Sequence, residues 1–124
     1  MPNLVKDLSF EFAKSIVIFA RFLSDNNKHI FPISSQLLRS GTSIGANIEE
    51  AMAAQSRKDF LAKIYIAFKE ARECNYWLRL IQVTLICDHE KLLTLLLQSE
   101  ELISILSSIT KTTKTSLYKL NATK

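Results

Sequence analysis

Aromatic and cationic side chains interleave along one segment of this chain, where Leu61, Tyr65, Phe68, Arg72, Tyr76 and Arg79 recur at steps of three and four. That spacing puts them on one face of an α-helix. Rings and guanidinium groups arranged in this way can stack on nucleic-acid bases and pair with phosphates. The same residue types are also enriched in protein–protein interfaces. Beside the stripe, Glu70 and Glu73 are paired carboxylates in sequence only, because no nucleophile or histidine partner accompanies them. His29 and His89 fall at expected helix boundaries. The chain has no Gly-rich phosphate loop, no HExxH, no nucleophile elbow and none of the Glu-x-x-His pairs of di-iron bundles. The expectation is therefore a non-enzymatic protein with no catalytic residue, no metal site and no cofactor.

A second polar constellation precedes the first. Gln36, Ser40, Ser43 and Asn47 run along the flank of a helical pattern whose apolar face is Leu37, Gly41, Ile44, Ile48 and Ala51. Ser43, Asn47 and Glu50 can be read as a polar binding site or as inter-helix hydrogen bonds that fix register. The second reading is favoured, since no metal-ligand or nucleophile spacing goes with them. Gly41 and Gly45 each cost about 1 kcal/mol of helix propensity relative to Ala, which predicts close approach of another backbone.

The elements that must hold these residues follow from periodicity. Val5, Leu8, Phe12, Ile16, Phe19 and Leu23 form a helical stripe, ended by Ser24-Asp25-Asn26-Asn27. Pro32 blocks continuation, and the second helix is expected from about Ser34. Ser56-Arg57-Lys58-Asp59 resembles a capping box with Asp for Glu, and Asp59 stands four residues before Lys63 as a favourably oriented pair. The third helix then buries Phe60, Ile64, Ala67, Ala71, Cys74, Leu78 and Ile81. Asp88 is the expected N-cap of the fourth, whose face Leu92, Leu96, Ser99, Ile103, Leu106 and Thr110 is widened by Leu93, Leu95, Leu97, Leu102, Ile105 and Ile109. The pattern predicts an all-α, antiparallel up-down-up-down four-helix bundle over residues 1–112. Its helices should lie near 4–24, 34–54, 57–86 and 89–112, the third being longest. Residues 113–124 are expected to form a basic, flexible C-terminal tail in which Leu117, Tyr118 and Leu120 can dock.

Composition narrows the functional classes. The 124 residues suit one domain, and two Gly, two Pro and 48% hydrophobic residues suit a compact helical protein. Cys74 and Cys87 form no CxxC and have no clustered histidines, which suggests reduced thiols in a cytoplasmic protein. The apolar runs are too short for a membrane span. Lys111, Lys114, Lys119 and Lys124 are the only charged residues from position 111 onward and account for the whole net charge of +4. A basic footprint for nucleic acid must come from these lysines or from local segregation of charge. Arg57, Lys58, Arg72 and Arg79 are secondary candidates for phosphate contact. Oligomer packing would instead pair Arg72 and Arg79 with Glu70 or Glu73 of a neighbouring subunit.

The middle third carries a more specific pattern in Arg39-Ser40, Ser43-Ile44, Asn47-Ile48, Glu50, Ser56 and Asp59-Phe60. It continues through Lys69-Glu70-Ala71-Arg72-Glu73 and Tyr76-Trp77-Leu78. This resembles the bacterial four-helix-bundle family labelled 23S rRNA intervening-sequence proteins, whose distant relatives include the accessory subunit of diversity-generating retroelements. Many relatives have Ala-Glu-Gly where this chain has Glu49-Glu50-Ala51. The resemblance implies a homo-oligomeric scaffold, a homopentamer from the family's five-fold rings, with RNA or a ribonucleoprotein as partner. It also implies structural or interface roles for Arg39, Ser40, Ser43, Asn47, Glu50, Asp59, Phe60, Lys69, Glu70, Arg72, Glu73, Tyr76 and Trp77. The alternative is an adaptor for an unidentified protein partner, with no nucleic-acid role.

Overall fold

The computed structural model describes residues 2–84 and 89–122. Four helices make up the fold: α1 (Pro2–Asn26), α2 (Phe31–Met52), α3 (Arg57–Thr84) and α4 (His89–Ala122), with a short 3-10 turn at Lys28–Ile30 between the first two. No strand occurs among the described residues. Each helix packs on its chain neighbours and α4 closes the ring on α1. Among the described residues no helix backbone comes close to the one diagonally opposite, as in an antiparallel up-down-up-down bundle. The predicted stripes meet at the centre: Phe12, Ile16, Leu37, Ile44, Ile48, Ile64, Leu78, Ile81, Leu92 and Leu106 are fully buried.

The α1–α2 corner is built from local polar groups. Asn26 donates to Phe22 O at 2.8 Å, and Asn27 Oδ1 accepts from His29 N–H at 3.1 Å. The Ser24 and Ser34 hydroxyls meet at 2.7 Å and tie the end of α1 to the start of α2. Helix α2 begins at Phe31, three residues before the expected start, with Pro32 in its first turn. Proline is compatible with that position because the N–H it lacks has no intrahelical acceptor there.

Gly41 and Gly45 are buried where α1 crosses α2. A Cβ on Gly41 would stand 2.7 Å from Ile16 Cγ2, and one on Gly45 would stand 3.3 Å from Ser9 Oγ. Gly45 thus meets the predicted backbone, with Ser9 O at 3.4 Å from that Cβ, whereas Gly41 makes room for the Ile16 side chain.

Helix α3 starts at the Ser56 cap, whose hydroxyl accepts the Asp59 N–H at 3.0 Å. Helix α4, not α3, is the longest at 34 residues, and it runs to Ala122 rather than ending near residue 112. Its last ten residues contain no Gly or Pro, and Thr115 Oγ1 donates within the helix to Lys111 O at 2.9 Å. Arg57 also reaches Ser116 Oγ at 2.6 Å and fastens these turns to the start of α3. Of the three side chains expected to dock there, Leu117 is half-buried while Tyr118 and Leu120 are exposed. The expected Asp88 cap and Cys87 lie outside the described residues. By length and composition α4 could cross a bilayer, an 18-residue window within Glu90–Leu120 reaching a mean hydropathy of 1.4. Leu92, Leu95, Leu96, Leu102 and Leu106 are packed in the bundle core instead.

Gly41→Ala is expected to lower stability. Overpacking against the fully buried Ile16 costs about 1–3 kcal/mol, which outweighs the gain in helix propensity of about 1 kcal/mol. Gly45→Ala, meeting Ser9 at an easier distance, should be near neutral. Urea unfolding midpoints of the two variants check the difference.

Candidate functional site

Helix α3 presents two chemically different faces. Toward α2 it offers its carboxylates. Arg39 Nη1 lies 3.1 Å from Glu70 Oε2, Arg39 Nη2 bonds Glu73, and Arg39 Nε donates to Gln36 Oε1 at 3.2 Å. Trp77 Nε1 donates to the same Glu73 carboxylate at 3.0 Å. The hydrogen bond to Glu73 raises the Arg39 pKa, against the cost of burial and with help from the charges of Glu70 and Glu73. Burial works against the Glu73 carboxylate, but hydrogen bonds from Trp77 and Arg39 and the Arg39 charge outweigh it and hold its pKa below the ordinary value.

The rest of the α2 motif is more local than its spacing suggests. Ser43 Oγ donates to Arg39 O at 2.7 Å and Asn47 Nδ2 to Ser43 O at 2.8 Å, both within α2. The expected inter-helix role of these two residues gives way to back-bonding along their own helix, which satisfies a short polar side chain without any partner helix. Ser40 donates to Gln36 O at 2.9 Å, and its hydroxyl stands near enough to the Cys74 thiol of α3 to favour the thiolate. Burial pushes that thiol up to about 12 despite Ser40, so Cys74 is unreactive at neutral pH. Glu50 does bridge helices: Lys63 Nζ lies 2.8 Å from Glu50 Oε1. This bond raises the Lys63 pKa, while Asp59, its expected partner, adds only a weaker attraction. Phe60 packs against the core.

The opposite face of α3 holds the interleaved stripe, and it is open. Tyr65 is 45% exposed and Tyr76 49% exposed. Every ring on it has a cation beside it. Lys69 Nζ and Lys114 Nζ each lie 5.9 Å from the Tyr65 ring centroid, Arg72 Cζ lies 6.0 Å from that of Phe68, and Arg79 Cζ lies 5.9 Å from that of Tyr76. Arg79 also donates to Asn75 Oδ1 at 2.9 Å, and Asn75 donates to Ser99 Oγ on α4 at 2.9 Å, which fixes the root of the stripe. The Tyr76 ring meets Trp77 edge-on at 5.0 Å.

All three carboxylates of α3 are directed elsewhere: Glu70 and Glu73 hold Arg39, and Asp59 attracts Lys63. Arg39 of the same chain thus takes the two glutamates that were expected to serve a neighbouring subunit's Arg72 or Arg79. Lys58, Lys111 and Lys119 are exposed, with Lys111 and Lys119 along the last turns of α4 that Arg57 fastens to α3. The stripe and most of the basic residues therefore share the α3–α4 side and one end of the bundle. Lys124 lies outside the described residues. Sequence reasoning missed Gln36 as the third support of Arg39 and missed the Arg57–Ser116 bond. The i, i+3 spacing from Gln36 to Arg39 is a usable signal for the first. Nothing local signals the second.

An apolar cleft lies away from this face, about 440 Å³ between α1 and α4, with Ile18, Phe22, Leu95 and Gln98 in its walls. Gln98 Oε1 is buried without a hydrogen-bond partner. No cluster of metal-ligating side chains occurs among the described residues.

Residues 2–108 match the protein family described as 23S rRNA-intervening sequence protein. Among solved structures, the chain is similar to a protein with unknown function from the S23 ribosomal protein family of Bacteroides thetaiotaomicron VPI-5482. The two are 50% identical with a TM-score of 0.81, over 86% of this chain and 98% of that one. No curated protein matches significantly. Neither similarity points to an enzyme class.

Because the pKa of Glu73 is lowered on folding, its contribution to stability is present above the ordinary value of 4.5 and is lost as pH falls through the folded value. Urea midpoints measured from neutral pH down through the carboxylate range should fall less steeply for Glu73→Gln than for the native chain.

Proposed function

This chain belongs to the 23S rRNA-intervening sequence protein family, and we propose that it acts as a non-enzymatic, homo-oligomeric helical-bundle scaffold in the cytoplasm that associates with RNA. The observation that carries the RNA reading is the segregation of charge. Arg57, Lys58, Lys69, Arg72, Arg79, Lys111, Lys114 and Lys119 stand on or beside the α3–α4 side, while Glu70 and Glu73 of α3 are occupied by Arg39. A bundle of modest net charge thereby acquires a local cationic surface, which is what phosphate contact needs. The family's description supplies the nucleic acid, RNA.

The assembly reading rests on exposed apolar side chains. Phe10 on α1 is 60% exposed, and Leu93 and Leu97 on α4 are 50% and 67% exposed. Covering them with further copies of the chain supports a ring, and the resemblance supports five subunits. Light scattering at micromolar concentration should give several times the 14.1 kDa protomer mass, five times for the pentamer. A protomer mass would reject assembly.

A protein-binding adaptor is the second reading, favoured by the same exposed Tyr and Arg side chains. Salt separates the two. Replacing Lys111, Lys114 and Lys119 together by Gln should weaken RNA retention and reduce the slope of log K against log salt by about 0.7 for each phosphate no longer neutralised. Absence of RNA binding at low salt, or a slope indifferent to the three lysines, would favour the adaptor.

A further inference from the structure

Phosphate contacts alone do not require aromatic rings, and four features of the α3 stripe go beyond what a generic basic patch contains. Tyr65 and Tyr76 are half-exposed rings three helical turns apart, with Phe68 between them. Tyr65 and Phe68 have centroids 6.2 Å apart, inclined at 44°. Each of the three rings has a long, flexible cation within 6.0 Å. No carboxylate of α3 has its assigned interaction on this side. From these we propose that the Tyr65–Arg79 face binds single-stranded RNA by stacking unpaired bases on Tyr65 and Tyr76 while Lys69, Lys114, Arg72 and Arg79 take the phosphates. This rests on the RNA association proposed above and specifies its substrate class.

The chemistry favours an unpaired strand over a duplex. Stacking needs the flat face of a base, and a duplex already covers those faces with neighbouring pairs, leaving shape, 2′-hydroxyls and phosphates to contact. A ring inserted between two bases separates them to about 7 Å, twice the ~3.4 Å stacking distance. The stripe from Tyr65 to Arg79 is about 21 Å long at the helical rise per residue, so it accommodates about three nucleotides per protomer. Any base has a π-face, so recognition here tolerates sequence. Cations that rest beside rings in the free protein can swing to the phosphates when bases take their place, because Lys and Arg side chains keep several rotatable bonds.

The test uses the full chain, with fluorescein-labelled 12-nucleotide oligoadenylate and a 12-base-pair RNA duplex as probes, read by anisotropy at low salt. Tyr65→Ala and Tyr76→Ala should each weaken the single strand about tenfold, within the range expected per stacked base, and leave the duplex affinity and the salt slope unchanged. Tyr76→Phe should retain native affinity, since the ring and not the hydroxyl is used. Trp77, the single tryptophan, lies 5.0 Å from Tyr76, so its emission should change on adding unlabelled oligoadenylate. Helical circular dichroism and light scattering of each variant report fold and assembly. Equal losses on both RNA forms, no loss on either, or a change in oligomer size caused by the tyrosine variants would overturn the stacking site. If RNA binding persists with a lysine-dependent slope, that failure leaves the scaffold reading intact; if the native chain binds neither RNA, both fail together.

Discussion

The Arg39 guanidinium sets the electrostatic layout of the molecule. It bonds Gln36 on its own helix and draws both Glu70 and Glu73 of α3 toward α2. A planar five-donor group can satisfy several acceptors at once, which a lysine at this position could not do in the same geometry. Two consequences follow. The α2–α3 pair is held in register by a clasp that Trp77 completes from the same side through its own bond to Glu73. The far side of α3 is left to its rings and cations. The clasp is half-exposed, with 47% of the Arg39 side chain accessible, so its contribution to stability is modest and its directing effect is the larger one.

Helix existence is legible in the sequence because each helix carries an unbroken apolar stripe, and the residues named for the stripes are largely those in the core. Boundaries are less legible, for identifiable reasons. Pro32 reads as a breaker, yet within the first turn it removes only a hydrogen bond that would not have formed. The Ser/Thr/Lys run after residue 110 reads as a tail, because its apolar periodicity fades. Thr115 bonds back to the helix, and Arg57 holds the run from another element through Ser116, which no local pattern announces.

Partner choice is the least legible level. Lys63 has an acid at helical spacing in Asp59 but bonds Glu50 of α2, since packing α2 on α3 brings that carboxylate within 2.8 Å. Ser43 and Asn47 stand on the flank where cross-helix bonds are plausible, yet each closes onto the carbonyl four residues before it. The cationic ladder is partly visible, because Arg72 and Arg79 share the α3 stripe with the rings. The contribution of Lys114 is not, since it depends on α4 continuing as a helix beside the start of α3.

The bundle closes least tightly where chain connectivity helps least. Helices α1 and α4 are neighbours in space only, and they pack less extensively than the other three adjacent pairs. Their seam contains the 440 Å³ cleft, with Gln98 in its wall. The α1–α2 pair shows the contrast: Gly45 lets the two backbones meet closely, Gly41 admits the Ile16 side chain, and the Ser24–Ser34 bond locks the ends. Ile18 is 55% exposed and Phe22 39% exposed at the open seam. A second chain laid against this side would cover apolar area that the α1–α4 packing leaves in water. The α3 ladder would stay free only if assembly used this opposite seam. The cleft between α1 and α4 and the α3 ladder are separate surfaces of one protomer, since no residue of the ladder lines the cleft.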